Sequence, residues 1–260
     1  MEIKTTAFVL RTYPLAEADR IVVLSSRAAG KLRGVAPRAA ASRKRFGGAL
    51  SILSEVDLRY RMREGRDLGR LESCRLLAPT PGEGRDLEAF YACGYLAEIL
   101  EQFSREGEAD DALYRLTQAS TRALAAGQEA ERVVRYFEIW VLRLAGLLPD
   151  LEECPRCGQR MTRLGAAFFP GGEAVCWACA GSSAAGVRKL PPSAVNIVRW
   201  MLRTPPGKLE ACRPSRTDLA AMAAMAAGQF LSVMERPFRL AGRVGSGRLE
   251  KPTALEKASP

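Results

Sequence analysis

Short runs of mixed polar and apolar residues occupy the first eighty positions. Residues 4–12 intersperse Thr, Phe, Val and Leu, and Ile21-Val22-Val23-Leu24 is a β-branched run. Gly30 marks a turn before a third run over 31–36. Residues 51–60 alternate imperfectly, with Ile52, Val56 and Leu58 on one parity and Leu53 and Asp57 on the other, and 68–77 follow the polar turn Arg63-Glu64-Gly65-Arg66. Runs of this length between turn residues predict strands. Five of them with no helix-length pattern predict a small closed or half-closed barrel, of OB type by preference, with an SH3-like barrel as the alternative.

From Asp86 the period changes. Leu87, Phe90, Tyr91, Leu96, Ile99, Leu100 and Phe103 approximate a helical stripe that stops at 105–107. A second helix is expected over 110–126, around Leu113, Leu116 and Leu124. A third is expected over 129–148, with Val133, Val134, Phe137, Trp140, Val141 and Leu144, closed by Pro149. Further on, Leu190-Pro191-Pro192-Ser193 opens a helix bearing Ile197, Val198, Met201 and Leu202, and Ser215-Arg216-Thr217-Asp218 leads into another over 219–235. Helix packing accounts for these apolar stripes, with acceptance of a partner peptide as the alternative for the methionine-bearing, alanine-rich face of the last. From Gly242 the Gly, Ser, Pro and Lys content predicts a flexible basic end.

The 260 residues are 47% hydrophobic and 26% charged, which excludes wholesale disorder. The longest apolar run, 219–228, is ten residues against the roughly 18–20 a spanning helix needs, so no membrane role is expected. The N-terminal 25 residues offer no secretory signal, and a cytoplasmic setting follows as the expectation. There the seven cysteines read first as metal ligands or packing groups. Histidine is absent, which excludes Ser-His-Asp triads, Cys-His dyads and His-ligated metals.

Net charge is +10, favouring an anionic partner such as nucleic acid, and it is unevenly spread. Residues 1–80 carry 16 Lys/Arg against 8 Asp/Glu, whereas 81–150 carry 7 against 13, which suggests two modules with different partners. The connection over 37–48 holds Arg38, Arg43, Lys44, Arg45 and Phe46. Cations on such a loop can settle against phosphates, and Phe46 either stacks on an unpaired base or plugs the barrel core. Arg59, Arg61 and Arg63 share one parity at a strand end and extend the surface. Arg11, Lys31 and Arg33 on the other strands complete the candidate nucleic-acid-binding set. The acidic middle reads as scaffold or a protein-docking surface.

Cys154-Pro155-Arg156-Cys157-Gly158, eighteen residues, then Cys176-Trp177-Ala178-Cys179 is the strongest chemical signal. Two residues between paired thiolates let both reach one ion, and an intervening hairpin brings the pairs together. An all-thiolate tetrahedral site implies one structural zinc with no open position for water. A redox pair of thioredoxin type and an iron–sulfur cluster are the alternatives. Cys74, Cys93 and Cys212 fit no spacing and read as small buried hydrophobes. The fold class expected is therefore α+β multidomain: an OB-type β-barrel over 1–80, an α-helical domain over 81–241 with an inserted four-cysteine zinc finger at about 150–185, and a tail over 242–260.

In this order the parts resemble the RecO recombination-mediator family. The similarity lies in 7–10, Glu17-Ala18-Asp19-Arg20 with 21–24, Gly30-Lys31-Leu32-Arg33-Gly34-Val35-Ala36, and Ser42 with 43–48. It continues through Gly146-Leu147-Leu148-Pro149-Asp150-Leu151 into the four cysteines, with Phe168 and Gly171-Gly172 between them. Where the family usually places a glycine beside the arginine after the third strand, this chain has Pro37-Arg38-Ala39; the usual glycine before the acidic residue of the first hairpin is also missing. The resemblance implies a non-enzymatic protein that binds and anneals single- and double-stranded DNA. It also implies contact with the C-terminal tail of single-stranded-DNA-binding protein, and action with RecR to load RecA. A zinc-ribbon RNA-binding component of transcription or translation is the alternative. A nuclease would need clustered carboxylates for Mg²⁺, and residues 1–80 offer only scattered pairs such as Glu17 and Asp19.

Overall fold

Five strands close into a barrel: β1 (Glu2–Leu15), β2 (Asp19–Ser26), β3 (Gly30–Ala36), β4 (Glu55–Arg61) and β5 (Gly69–Ala78), ordered β1-β2-β3-β5-β4 with β4 returning to β1. All neighbours are antiparallel except β3 and β5, which meet in parallel at Gly34–Gly69 and Val35–Arg70. This is the OB-type arrangement expected. The structure is a computed structural model that describes every residue except 1, 16, 40–45, 64, 66, 170–172, 182–185, 235 and 245–260.

Glycine makes the closing seam possible. A Cβ on Gly69 would lie 2.2 Å from the Tyr60 ring, and one on Gly34 would lie 2.7 Å from Leu71 and 2.8 Å from Tyr60. Tyr60 fills the space the two glycines leave, fully buried, and its hydroxyl donates to the Arg33 carbonyl at 2.8 Å. Burial pushes the Tyr60 phenol above its ordinary value, so it remains a donor.

Successive residues of a strand point to opposite faces. Ala7, Val9, Val22 and Leu24 therefore enter the barrel core, while Phe8, Leu10 and Val23 enter a second core made by the helices. That double burial explains why 7–10 and 21–24 read as unbroken apolar runs. The expected strand over 51–60 begins only at Glu55. Leu53 takes a left-handed conformation (φ 54°), donates its amide to the Val9 carbonyl at 2.7 Å and joins the helical core.

The helical unit comprises α1 (Leu87–Phe103), α2 (Asp111–Ala125), α3 (Ala130–Leu144), α4 (Met161–Leu164), α5 (Trp177–Ala180), α6 (Pro192–Met201) and α7 (Arg216–Leu231). Asp86 and Asp110 cap α1 and α2 through amides of Ala89 and Leu113, and Ser215 with Asp218 forms a capping box on α7. The third helix stops at Leu144, and Gly146 (φ 71°) turns the chain before Pro149 is reached. Inside the bundle, Glu138 is fully buried, accepting from Tyr95 Oη at 2.7 Å and pairing with Arg135 at 3.1 Å. Burial pushes its carboxyl up, and Arg135 opposes that shift. The packed chain runs past the expected 241 boundary: Arg239 pairs with Glu98, Leu240 lies over Gly94 and Val244 is buried. The rest of the expected tail, 245–260, lies outside the described residues.

The barrel docks end-on. Gly30 is more than a turn residue: a Cβ there would strike the carbonyls of Glu108 (2.1 Å) and Arg105 (2.3 Å) in the α1–α2 connection. The Lys31 amide donates to the Arg105 carbonyl at 2.8 Å, and Ser25 meets Ser104 at 3.1 Å. Glu55, buried at the foot of β4, accepts from Tyr114 Oη (2.8 Å) and Gln118 Nε2 (2.7 Å) of α2.

Gly69→Ala drives a methyl into the Tyr60 ring and is expected to cost about 1–3 kcal/mol in urea unfolding, mostly recovered in a Tyr60→Leu background. At α7, burial works against ionising Asp218. Hydroxyls of Ser193 (2.5 Å) and Ser215 (2.6 Å) nevertheless hold its carboxyl below the ordinary 3.8. A depressed carboxylate stabilises fully above its unfolded value and stops doing so as pH falls through the lower folded one. Asp218→Asn should therefore lower the thermal midpoint at neutral pH and cease to matter in strongly acidic buffer.

Candidate nucleic-acid interface and metal centre

Strand register sorts the barrel cations into three groups. One end of the barrel, with the β2–β3 hairpin and Glu55, is plugged into the helices. The opposite end carries the β1–β2 turn at 15–19, the exit from β3 after Ala36 and the β4–β5 turn between Arg61 and Gly69. Arg20, Arg38, Arg61, Arg63 and Arg70 gather at this distal end. Arg61 pairs with Glu72 at 2.9 Å; the other four make no ion pair with any described residue. Arg38 takes a left-handed φ of 56°, and its amide donates to Asp19 Oδ1 at 2.8 Å. A non-glycine residue there costs about 1 kcal/mol, and the Asp19 carboxylate holds it in place.

Arg59 lies beside Lys4 on the outer wall and 3.8 Å from Glu2. Arg11, Lys31 and Arg33 lie against the helical unit. Arg11 pairs with Glu101 at 2.8 Å, Lys31 Nζ donates to the Glu101 carbonyl at 2.9 Å, and Arg33 pairs with Glu106 at 3.1 Å. Of the two roles open to Phe46, the structure takes the second: it is 4% exposed and packs in the barrel core, which withdraws it from stacking. Arg43, Lys44 and Arg45 lie outside the described residues. Lys4, Arg20 and Arg70 escaped the sequence reading. The signal for Arg70 was alternation, since Leu71 points inward and Arg70 outward.

The four cysteines converge as their spacing predicts. Sγ atoms of Cys154, Cys157, Cys176 and Cys179 all lie within 4.8 Å of one another, and Cys157 and Cys176 are 3.7 Å apart. Metal–sulfur bonds of about 2.3 Å in a tetrahedron require sulfurs about 3.8 Å apart, so the set fits one ion. The first pair sits on a tight knuckle in which Gly158 (φ 69°) donates its amide to the Cys154 carbonyl at 2.8 Å. The second follows β7 (Ala174–Cys176), which pairs with β6 (Ala166–Phe168), itself paired with β8 (Arg188–Leu190). Trp177 Nε1 donates to the Ala166 carbonyl at 3.0 Å, and Arg156 grips Glu173 across the hairpin. Glu152 ties the finger to Arg199 on α6 and to Arg203 beyond it.

Burial works against ionising Cys154, but amides of Cys176, Arg156 and Cys157 outweigh it and bring the thiol down to about 6. Hydrogen bonding with Cys157 and Cys176 pushes Cys179 up to about 12. Neighbouring thiolates repel one another unless a cation lies between them, which is the donor chemistry of a metal site. Cys74 and Cys93 are buried and Cys212 partly so; none bears on the cluster.

Comparison with known proteins gives two family matches. The Recombination protein O N-terminal model matches residues 1–80, and the Recombination protein O C-terminal model matches 84–230. The chain is 42% identical to DNA repair protein RecO of Koribacter versatilis (strain Ellin345), over 61% of this chain and 64% of that protein, just under two thirds of its length. It is 36% identical to DNA repair protein RecO of Anaeromyxobacter sp. (strain K), over 80% of this chain and 81% of that one. It is 31% identical to DNA repair protein RecO of Pelotomaculum thermopropionicum, over 82% of each.

Native mass spectrometry should find one metal ion per chain, lost in Cys157→Ser. Chelation should open residues 150–190 to protease while the barrel stays resistant; a finger that stays closed without metal would refute the site.

Proposed function

The chain belongs to the RecO family of DNA repair proteins, and from that premise we propose that it holds DNA strands through the distal end of its barrel and anneals them without altering them. The observation that carries this reading is the distal cluster of Arg20, Arg38, Arg63 and Arg70, cations with no ion pair among the described residues. The chain leaves β3 at this same end, and Arg43, Lys44 and Arg45 follow in the sequence. Guanidinium groups neutralise phosphates in pairs of fixed N–H donors, and each neutralised phosphate releases counterions. Two strands held on one cationic surface repel each other less, which favours pairing. The chemistry needs no nucleophile, base or nucleotide cofactor, so the protein acts as a mediator and not an enzyme.

The finger takes zinc, in this reading, and the ion supplies a closed tetrahedral brace. Cys154, Cys157, Cys176 and Cys179 hold it; Glu152 and Arg199 fix the finger on the helical unit. No helix among the described residues is long and apolar enough to cross a membrane. The partners implied are single- and double-stranded DNA, RecR, the acidic tail of single-stranded-DNA-binding protein and, indirectly, RecA. A cytoplasmic, nucleoid-associated setting accords with them.

Annealing of complementary oligonucleotides should proceed without ATP, and a requirement for nucleotide would refute the reading. Neutralising Arg43, Lys44 and Arg45 together should flatten the salt dependence of single-strand binding by about 2 in log–log slope, at roughly 0.7 per phosphate. An unchanged slope would remove that segment from the interface.

A further inference from the structure

One row of outward side chains on the barrel is left partly open by the helical unit, with Tyr13 at its end on the rim of a cleft shared with Gly94, Glu98, Arg239 and Leu240. Cross-strand pairing runs from Tyr13 on β1 through Ile21 on β2 and Val35 on β3 to Arg70 on β5, and then to Arg61 on β4. The neighbouring row, Arg11, Val23 and Arg33, lies against the helices: Val23 is buried, and the two arginines pair with Glu101 and Glu106. Tyr13 is 39% exposed and is the one exposed aromatic of the barrel among the described residues. Ile21 and Val35 are half-buried beside it.

Tyr13 is also held in place. Arg11 Nη1 donates to its hydroxyl at 3.1 Å, with the guanidinium carbon 5.8 Å from the ring centroid, and Arg11 is itself anchored on Glu101. The result is an apolar strip with a fixed ring at one end and arginines at the other, about 14 Å from Tyr13 to Arg70 at ordinary strand spacing. A ligand that matches it must offer flat apolar faces and negative charge along one chain.

We infer that this row is a stacking strip for the unpaired bases of a single-stranded polynucleotide, with Tyr13 as the platform and Arg70 receiving a phosphate, while Arg61 is paired with Glu72. The inference rests on the DNA-binding reading above and adds to it the means of telling single strands from duplex. Duplex hides its base faces and leaves the strip only phosphates. An acidic protein tail supplies charge without stackable bases, so the ring would add nothing.

The test uses the full chain with a labelled oligothymidylate, an abasic oligonucleotide of equal length and a duplex. The parent protein should prefer the oligothymidylate to the abasic strand. Tyr13→Ala should weaken oligothymidylate binding about 5- to 150-fold, the loss of one base–aromatic stack, without changing the salt slope or duplex affinity. Tyr13→Phe, which keeps the ring, should stay within about twofold. Arg70→Gln should instead lower the salt slope by about 0.7 and leave the preference over abasic DNA intact. If Tyr13→Ala binds oligothymidylate like the parent, or loses all three ligands alike, the strip is not a stacking site. A Tyr13→Ala protein that keeps every polynucleotide but loses a polyglutamate peptide would assign the face to a protein partner and overturn the inference. A parent protein that binds no polynucleotide even at low salt would fail at the earlier step, the DNA-binding reading itself.

Discussion

Strands β1 and β2 are covered on both faces over 7–10 and 22–24, and that sharing of two strands between two cores orients the rest of the barrel. Ala7, Val9, Val22 and Leu24 close the barrel, while the residues between them, Phe8, Leu10 and Val23, complete the helical core. Each fully buried side chain of this size contributes about 1.5–3 kcal/mol, so the barrel could detach only by exposing three of them together. Because β1 and β2 are committed at one end, the opposite end of the barrel and the row through Tyr13 are what remain for a ligand. The orientation of the proposed binding surface is thus a packing outcome before it is an electrostatic one.

The charge asymmetry of the sequence takes on a second meaning in this arrangement. A basic block followed by an acidic one reads as two modules facing different partners. In the folded chain they are in part each other's partner: Arg11 meets Glu101, Arg27 meets Asp111 and Arg33 meets Glu106. Exposed pairs of this kind are worth little individually, about 0–1 kcal/mol. Their larger effect is to neutralise the helix-proximal cations and leave the uncompensated ones at the distal end. The buried carboxylate of Glu55, satisfied by Tyr114 and Gln118, adds directional hydrogen bonds to an otherwise greasy joint. Gly30 lets the hairpin approach the α1–α2 connection closely enough for them to form.

The cysteine cluster serves the same architecture from the far side. It stands between the three main helices and the last two, where a three-stranded sheet of very short strands has little core of its own. Cys154 and Cys176 are buried against the helical core while Cys157 is exposed. A metal held there would join chain segments whose own sheet is too small to be stable alone.

Much of this was legible in the residues themselves. Short mixed and β-branched runs between turn residues marked the five strands, period-3.6 stripes with Asp86, Asp110 and Ser215 at their starts marked the main helices, and the paired cysteine spacing marked the candidate metal site. These are local properties, fixed by backbone geometry and by the reach of neighbouring side chains. Other features depended on residues far apart in the chain. Leu53 looked like strand because its apolar side chain, not its left-handed backbone, is what a sequence displays. Phe46 looked equally suited to a base or a core until the barrel closed over it. Arg11 and Arg33 looked like Arg38 and Arg63 until the carboxylates of Glu101 and Glu106, about 70–90 positions away, paired with them, and Lys31 until the Glu101 main-chain carbonyl accepted its ammonium. The sequence by itself determined which elements form and which chemistry they carry; only the tertiary structure decided which cations are spent internally and which face outward, because charge compensation and burial depend on neighbours brought together by folding.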